Sequence, residues 1–211
     1  MILAIDGAST DLSIALAQPD GTVLAEDAWT SEQRQSAELL PRALALLEAH
    51  GRAIAEITAV AVGTGPGSFT GLRVAMALAK GLALALDRPI VGVPSLPAWL
   101  AQEPGAVAAV ARAGAREAYV LPRDAEEPMI VERDALATRL ADRKVVAPRE
   151  LATAFDLLDA TPPAAAAALA GAAARRLADD PAGDDLGRLD PIYLRAPRGL
   201  SAAPEGEVRW L

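Results

Sequence analysis

The chain has 211 residues, no cysteine, a single histidine and a formal net charge of -8, from 28 acidic against 20 basic residues. Disulfides and thiolate metal sites are thereby excluded, and transition-metal chemistry has only His50 to work with, at an expected helix end before Gly51. The acidic balance repels a nucleic-acid backbone, and 3% aromatic residues leave few platforms for stacked bases, so direct RNA reading by this chain is disfavoured.

Length predicts two small domains. The opening "MILAID" lacks the basic segment of a signal peptide, and no apolar run of eighteen or more residues is free of glycine, proline and charge, so a soluble cytoplasmic protein without a membrane span is expected. Residues 2–6, 12–17 and 22–29 are short apolar or alternating segments split by "GAST" and "PDG", which predicts three strands joined by hairpins. From Glu32 to His50, Leu39, Leu40, Ala43, Leu44, Leu46 and Leu47 recur at spacings of three and four, the pattern of an amphipathic helix. A strand over 57–63, a helix over 68–86 and a strand over 89–93 then form a parallel strand-helix-strand unit.

A helix opened by Ser95 closes the first half. Beyond it "AVAAVARAG", "EAYVLPRD" and "EEPMIVE" predict a second antiparallel set, followed by weaker helix signals and a long helix around 162–179. "DDPAGDDLGRLDP" is expected as a solvated polar loop, "PIYLRAP" as a short extended segment, and the tail from about 197 as flexible. The order of elements predicts an α/β protein of two actin-like, ribonuclease-H-like domains, residues 1–102 and a smaller, degraded 103–211.

Three features invite a chemical reading. Asp6 ends the first strand ahead of a turn containing Ser9 and Thr10, a position suited to a phosphate or its metal, although these residues can equally hydrogen-bond their own turn. The stretch "GTGPGSFTGLR", 63–73, matches neither a P-loop nor a dinucleotide fingerprint, since Gly65, Gly67 and Gly71 are spaced G-x-G-x-x-x-G. Ser68 can cap the following helix, and the N–H groups there can bind an anion. That helix carries only Lys80 as a charge between Val74 and Leu86, so it must be covered on most sides, by this chain or by another. No catalytic group emerges: the sole histidine excludes a Ser-His-Asp triad, and no G-x-S-x-G elbow occurs.

"ILAIDGAST", "ELLPRALALLEAHG", "GTGPGSFTGLR", "VGVPSL" and "DPIYLR" together closely resemble the bacterial TsaB (YeaZ) family, over roughly residues 1–100 and again at 190–195. The resemblance implies a non-catalytic subunit that binds the paralogue TsaD, and with it the ATPase TsaE. Together they support threonylcarbamoyl transfer to N6 of the adenosine beside the anticodon in tRNAs reading A-starting codons. The acidic surface and scarce aromatics put tRNA contact on the complex, and an apolar face meant for TsaD can pair with its own copy, so a homodimer of the lone chain is expected. No cofactor or metal is required by this chain, with ATP or ADP expected at the partner interface. Where TsaD carries H-x-x-x-H, this chain reads "SEQRQSAELLP" with no histidine. The partner interface carried over from the family is Leu39, Leu40, Leu44 and Leu47 on the first helix and Val74, Ala75, Leu78 and Leu82 on the second. Asp6, Ser9, Thr10, Gly65, Gly67 and Ser68 remain phosphate-binding candidates, and an ATP-dependent kinase of the same superfamily is the alternative function. The chain departs from the family at Gly7, where many members have threonine, and in "RAGAREAY", where Arg112 and Gly114 replace an acid and an arginine.

Overall fold

The first apolar run forms β1 (Ile2–Asp6), which turns back into β2 (Asp11–Ala17) and then β3 (Val23–Thr30). The computed structural model describes residues 1–140, 142–192 and 194. β1 pairs antiparallel with β2, Asp6 opposite Ser13, and β2 pairs antiparallel with β3. On the other side of β1, β4 (Ala59–Gly63) and β5 (Ile90–Val93) add in parallel, giving the order β3-β2-β1-β4-β5. Every residue of β1, β2, β4 and β5 is buried, which is why their sequences are mostly apolar, with Asp6, Asp11 and Ser13 as the buried polar exceptions; in this sheet β3 alternates with solvent.

Helices α1 (Gln35–Ala49) and α2 (Phe69–Leu86) cover one face of this sheet. α1 starts three residues later than its apolar periodicity suggests, because Ser31 Oγ accepts from the Arg34 N–H at 3.3 Å and Gln33 adopts a positive φ of 59°. α2 is long and apolar enough to cross a membrane by length and composition, yet Leu72, Ala75, Met76 and Ala79 press one side of it against the sheet.

The second sheet repeats the plan. β6 (Ala108–Arg112), β7 (Glu117–Pro122) and β8 (Met129–Glu132) are antiparallel, and the two-residue strands β9 (Val145–Val146) and β10 (Ala160–Thr161) add in parallel beside β6. Read from β8, the order β8-β7-β6-β9-β10 matches β3-β2-β1-β4-β5, with β6 in the place of β1. Helices α4 (Arg133–Leu140) and α5 (Arg149–Ala154) follow β8 and β9 on the outer side of this sheet, where Leu136 and Leu151 join its core. The fold is thus α/β with two actin-like domains, the second smaller. β9 and β10 escape sequence reading because two residues carry no period.

Between the sheets lie α3 (Ser95–Gln102) and α6 (Ala166–Asp179), so the layers run α-β-α-β-α. One core joins Ala4, Ala61 and Val91 of the first sheet, Trp99, Ala170, and Tyr119 of the second. Residue 102 therefore separates the two sheets but not the core, since α6 packs on β1 and β2. Its alanines explain how: Ala166, Ala170, Ala173 and Ala174 are buried, and their small side chains let the backbone approach the strands closely. Arg123 fixes α3 from the second half, donating to the carbonyls of Leu100, Glu103 and Ala106 at 2.9, 2.7 and 2.6 Å.

The start of α6 is capped from the other half of the chain. Ser13 Oγ accepts from the Ala165 and Ala166 N–H groups at 3.1 and 3.0 Å, and Glu26 Oε1 from that of Ala167 at 3.0 Å. Asp184, expected in a solvated loop, instead closes the edge of β5. Its carboxylate accepts from the Gly92 N–H at 2.7 Å and pairs with Arg176, which also donates to the Gly92 carbonyl at 2.7 Å. Burial raises the Asp184 carboxyl, but Arg176 and the Gly92 N–H outweigh it and hold the group below its ordinary range. The expected flexible tail from about 197 lies outside the described residues.

Ser13→Ala removes the acceptor for two N-terminal N–H groups of α6 at a buried site, and a loss of about 1–2 kcal/mol is expected. Urea unfolding should show a lower midpoint with an unchanged slope. An unchanged midpoint would mean that the Ser13 cap contributes nothing to holding α6 on the sheet.

Candidate functional site

The loop after β4 is shaped by close backbone contact. Gly65 holds a positive φ of 89°, and the peptide between Gly65 and Pro66 is cis. The Ser68 N–H donates to the Ala8 carbonyl at 2.6 Å, and Ser68 Oγ accepts from the Gly71 N–H at 3.2 Å, capping α2. A Cβ on Gly67 would overlap the Ala8 carbonyl, and one on Gly71 that of Gly7. The turn 7–10 and the loop 64–68 are therefore stacked backbone to backbone. Gly7 belongs to the same packing, since a Cβ there would stand 2.6 Å from the Gly71 carbonyl oxygen and 2.7 Å from Ala75 Cβ. A threonine at this position would force the two segments apart.

Asp6 anchors that junction from below. It is 1% exposed; Oδ1 accepts from the Ser95 hydroxyl at 3.0 Å and the Ala8 N–H at 3.2 Å, and Oδ2 from the Trp99 indole N–H at 2.6 Å. Ser95 Oγ in turn accepts from the Gly65 N–H at 3.1 Å. Burial pushes the Asp6 carboxyl above its ordinary value, against the opposing pull of these donors. Asp6 does hydrogen-bond its own turn, through the Ala8 N–H, but α3 engages both of its oxygens as well, so the carboxylate is not open to a phosphate. A metal-bound nucleotide phosphate does not fit at this carboxylate, which would first have to break from three donors. Ser95 and Trp99, the partners that sequence reading missed, are spaced i, i+4 in "SLPAWL", which puts them on one face of α3.

The other candidates line a cavity of about 590 Å³ between the two halves, bordered by Ser9, Thr10, Ser68, Thr70, Arg112 and Glu150. Ser9 Oγ donates to the Asp11 carbonyl at 2.8 Å and accepts from the Asp11 N–H at 3.0 Å, which is turn chemistry. Thr10 Oγ1 is buried and has no hydrogen-bond partner. Arg112 meets Glu150 at 2.7 Å, so the residue that departs from the family pattern neutralises a carboxylate in the cavity wall. Gly65 belongs to the Asp6 network, and Gly67 to the stacked backbones.

The helical face divides the interface candidates. Leu39, Leu47, Ala75 and Leu82 point inward and pack with β1, β2 and β4 in the core, so they are corrected to core residues. Leu40 and Leu44 face outward at 37% and 43% exposure, while Val74 and Leu78 are half-buried at the rim. Phe69 and Leu84 extend the outward face, Leu84 at 73% exposure. Their signal was in the sequence as large apolar residues off the inward stripe, but choosing the stripe requires the sheet. Arg73 lies over the Phe69 ring at 3.7 Å, and α2 carries no acidic residue. His50 is exposed, its Nδ1 2.9 Å from the Leu46 carbonyl oxygen, and among the described residues no cluster of three or more His, Asp or Glu could hold a metal.

A family model described as TsaD, tRNA N6-adenosine threonylcarbamoyltransferase, matches residues 18–138, more than half the chain. The chain belongs to this family, in its TsaB (YeaZ) branch. The tRNA threonylcarbamoyladenosine biosynthesis protein TsaB of Escherichia coli is 41% identical over 95 residues, covering 45% of this chain and 40% of that protein. TsaB of Bacillus subtilis is also 41% identical over 95 residues, 45% of this chain and 41% of the relative. The match thus spans about two fifths of the length of these curated relatives. In fold the likeness is wider: YeaZ from Pseudomonas aeruginosa superposes with a TM-score of 0.68 at 24% identity, covering 92% of this chain and 99% of that one.

Asp6→Ala leaves the Ser95, Trp99 and Ala8 donors without an acceptor, and a loss of about 2–4 kcal/mol in denaturant unfolding is expected. The pH dependence has a defined sign. A carboxyl raised on folding binds more protons in the native state, so its stabilising contribution is full below the ordinary carboxylate range and is lost as pH rises through the raised value. Asp6→Asn should remove that slope, narrowing the stability gap to the parent as pH rises; a gap that widens instead would show that the native carboxyl is not raised.

Proposed function

We propose that this chain is the non-catalytic TsaB-type subunit of a cytoplasmic complex that makes threonylcarbamoyladenosine in tRNA. It docks on a TsaD-type catalytic subunit through the outward face of α1 and α2. The observation that supports this reading most is the apolar face made by Leu40, Leu44, Phe69 and Leu84 on helices of a TsaB-branch chain. Soluble domains seldom leave several large apolar side chains exposed on adjacent helices unless another chain covers them. The name of the E. coli relative, a tRNA threonylcarbamoyladenosine biosynthesis protein, gives the pathway.

The division of labour follows from chemistry. The carboxylate best placed for phosphate chemistry, Asp6, is committed to Ser95 and Trp99. Acid repels acid, so a chain of net charge -8 is a poor tRNA binder, and the partner subunit supplies the tRNA contacts. Nucleotide, where the complex needs it, lies at the contact with the partner, and a TsaE-type ATPase joins the assembled pair. In the absence of TsaD the same apolar face pairs with a second copy as a homodimer.

The decisive experiment is tRNA modification in vitro with a TsaD-type subunit, a TsaE-type ATPase and a synthase that makes the threonylcarbamoyl donor from threonine, bicarbonate and ATP, with this chain omitted and then restored. Modification should depend on the chain; equal product without it would sink the proposal. At the interface, Leu44→Arg should weaken association with the TsaD-type subunit at least tenfold while leaving circular dichroism unchanged, because Leu44 is exposed. Leu39→Arg should instead unfold the chain, since Leu39 is in the core. Equal effects of the two would contradict the division of α1 into an inward and an outward face.

A further inference from the structure

We propose that the cavity between the two halves binds a small metabolite by an oxyanion, a phosphate or a carboxylate, held at the N-terminal ends of α1 and α2 and away from Asp6. This goes beyond the docking reading and does not rest on it. At about 590 Å³ the cavity has the size of a small-molecule site. Two polar groups in its wall serve nothing else in the chain. Gln35, the first residue of α1, borders the cavity at only 6% exposure, and its carboxamide makes no hydrogen bond to a described residue. Thr10 Oγ1 is buried in the same wall without a partner. Polar groups so placed are costly to bury, and a ligand that hydrogen-bonds both offsets that cost.

The charges around the cavity select the sign of the ligand. Each carboxylate nearby is already matched: Asp6 by Ser95, Trp99 and the Ala8 N–H, Asp11 by the Thr30 hydroxyl and the Arg149 N–H, and Glu150 by Arg112. None is left over for a cation. The positive side is less committed. Arg112 donates to Glu150 through one terminal nitrogen, and its other side-chain N–H groups make no hydrogen bond to a described residue. α1 begins at Gln35 with no side-chain cap from Arg34, so its first N–H groups have no acceptor within the helix or at its cap. α2 borders the same cavity through its cap, Ser68, and through Thr70 of its first turn. Helices of 15 and 18 residues thus bring their positive N-terminal ends to one space, and β6 of the second half adds Arg112 to it. The oxyanion takes the helix ends and Arg112, and the polar body of the ligand takes Gln35 and Thr10.

The test is an NMR titration of the full chain with inorganic phosphate, and separately with acetate, at constant ionic strength. At least one of the two ions should shift the Gln35 side-chain amide signals and the Thr10 and Thr70 backbone signals saturably, with a dissociation constant on the order of 1 mM. Whichever does so identifies the oxyanion. Gln35→Leu and Arg112→Met should each weaken that binding at least about fivefold. Failure of both ions to saturate those signals overturns the proposal. Saturation that either variant leaves unchanged also overturns it, in favour of an adventitious ion only. Urea unfolding without added ion gives an independent readout, since Thr10→Val and Gln35→Leu should not lower the midpoint when neither side chain has a partner in the chain to lose. A lower midpoint in either variant would make that side chain structural and overturns the site.

Discussion

The Asp6 carboxylate is the interaction on which the arrangement depends. It sits at the end of β1, where the central strand of the first sheet meets the stacked turns, and it takes hydrogen bonds from α3 and from the turn after β1. Through Ser95 it also reaches Gly65, at the start of the loop that launches α2. A charge in a dry interior is tolerated only with such a full set of donors, and the set fixes where α3 and α2 begin. The inter-sheet layer and the direction in which α2 leaves its loop are therefore tied to one carboxylate's need for partners.

The same constraint explains why Asp6 is not itself a ligand site. Trp99 and Ser95 close on the acid at the end of β1 from below, while Gly7, Gly67 and Gly71 let the two turns stack above. What remains of the cleft is walled by hydroxyls and by the Arg112–Glu150 pair, with its charges balanced. The halves are tied across it by Asp11, which accepts from Thr30 Oγ1 at 2.6 Å and from the Arg149 N–H at 2.9 Å, and by the capping of α6 from β2 and β3. Such ties hold the two halves together across the cleft.

The helices that cover one face of the first sheet also present an outward face. α1 and α2 each spend one stripe on the sheet, and the residues between stripes, Leu40 and Leu44 on α1 and Leu84 on α2, are left over. The small residues Ala77 and Gly81 lie on the exposed side of α2, so another helix could approach its backbone closely there.

Sequence alone determined the strand and helix order of the first half, because each element there is long enough to carry a period or a continuous apolar run. It also determined, by composition, that cysteine and metal chemistry had little to build on, and by its motifs the family resemblance. It did not determine β9 or β10, since two residues of strand exist only through their neighbours, nor the place of α6, whose alanines look the same against a sheet of either half. Asp184 illustrates the limit: in sequence it is one acid among several in a polar run, and only the nearness of Gly92 and Arg176 makes it a strand-edge cap. Likewise the eight leucines, valines and alanines expected to meet a partner all lie in α1 and α2, but periodicity cannot say which stripe faces the sheet. Tertiary structure decided that, because inward and outward are defined by the packing of β1, β2 and β4 and not by any property of the helix itself.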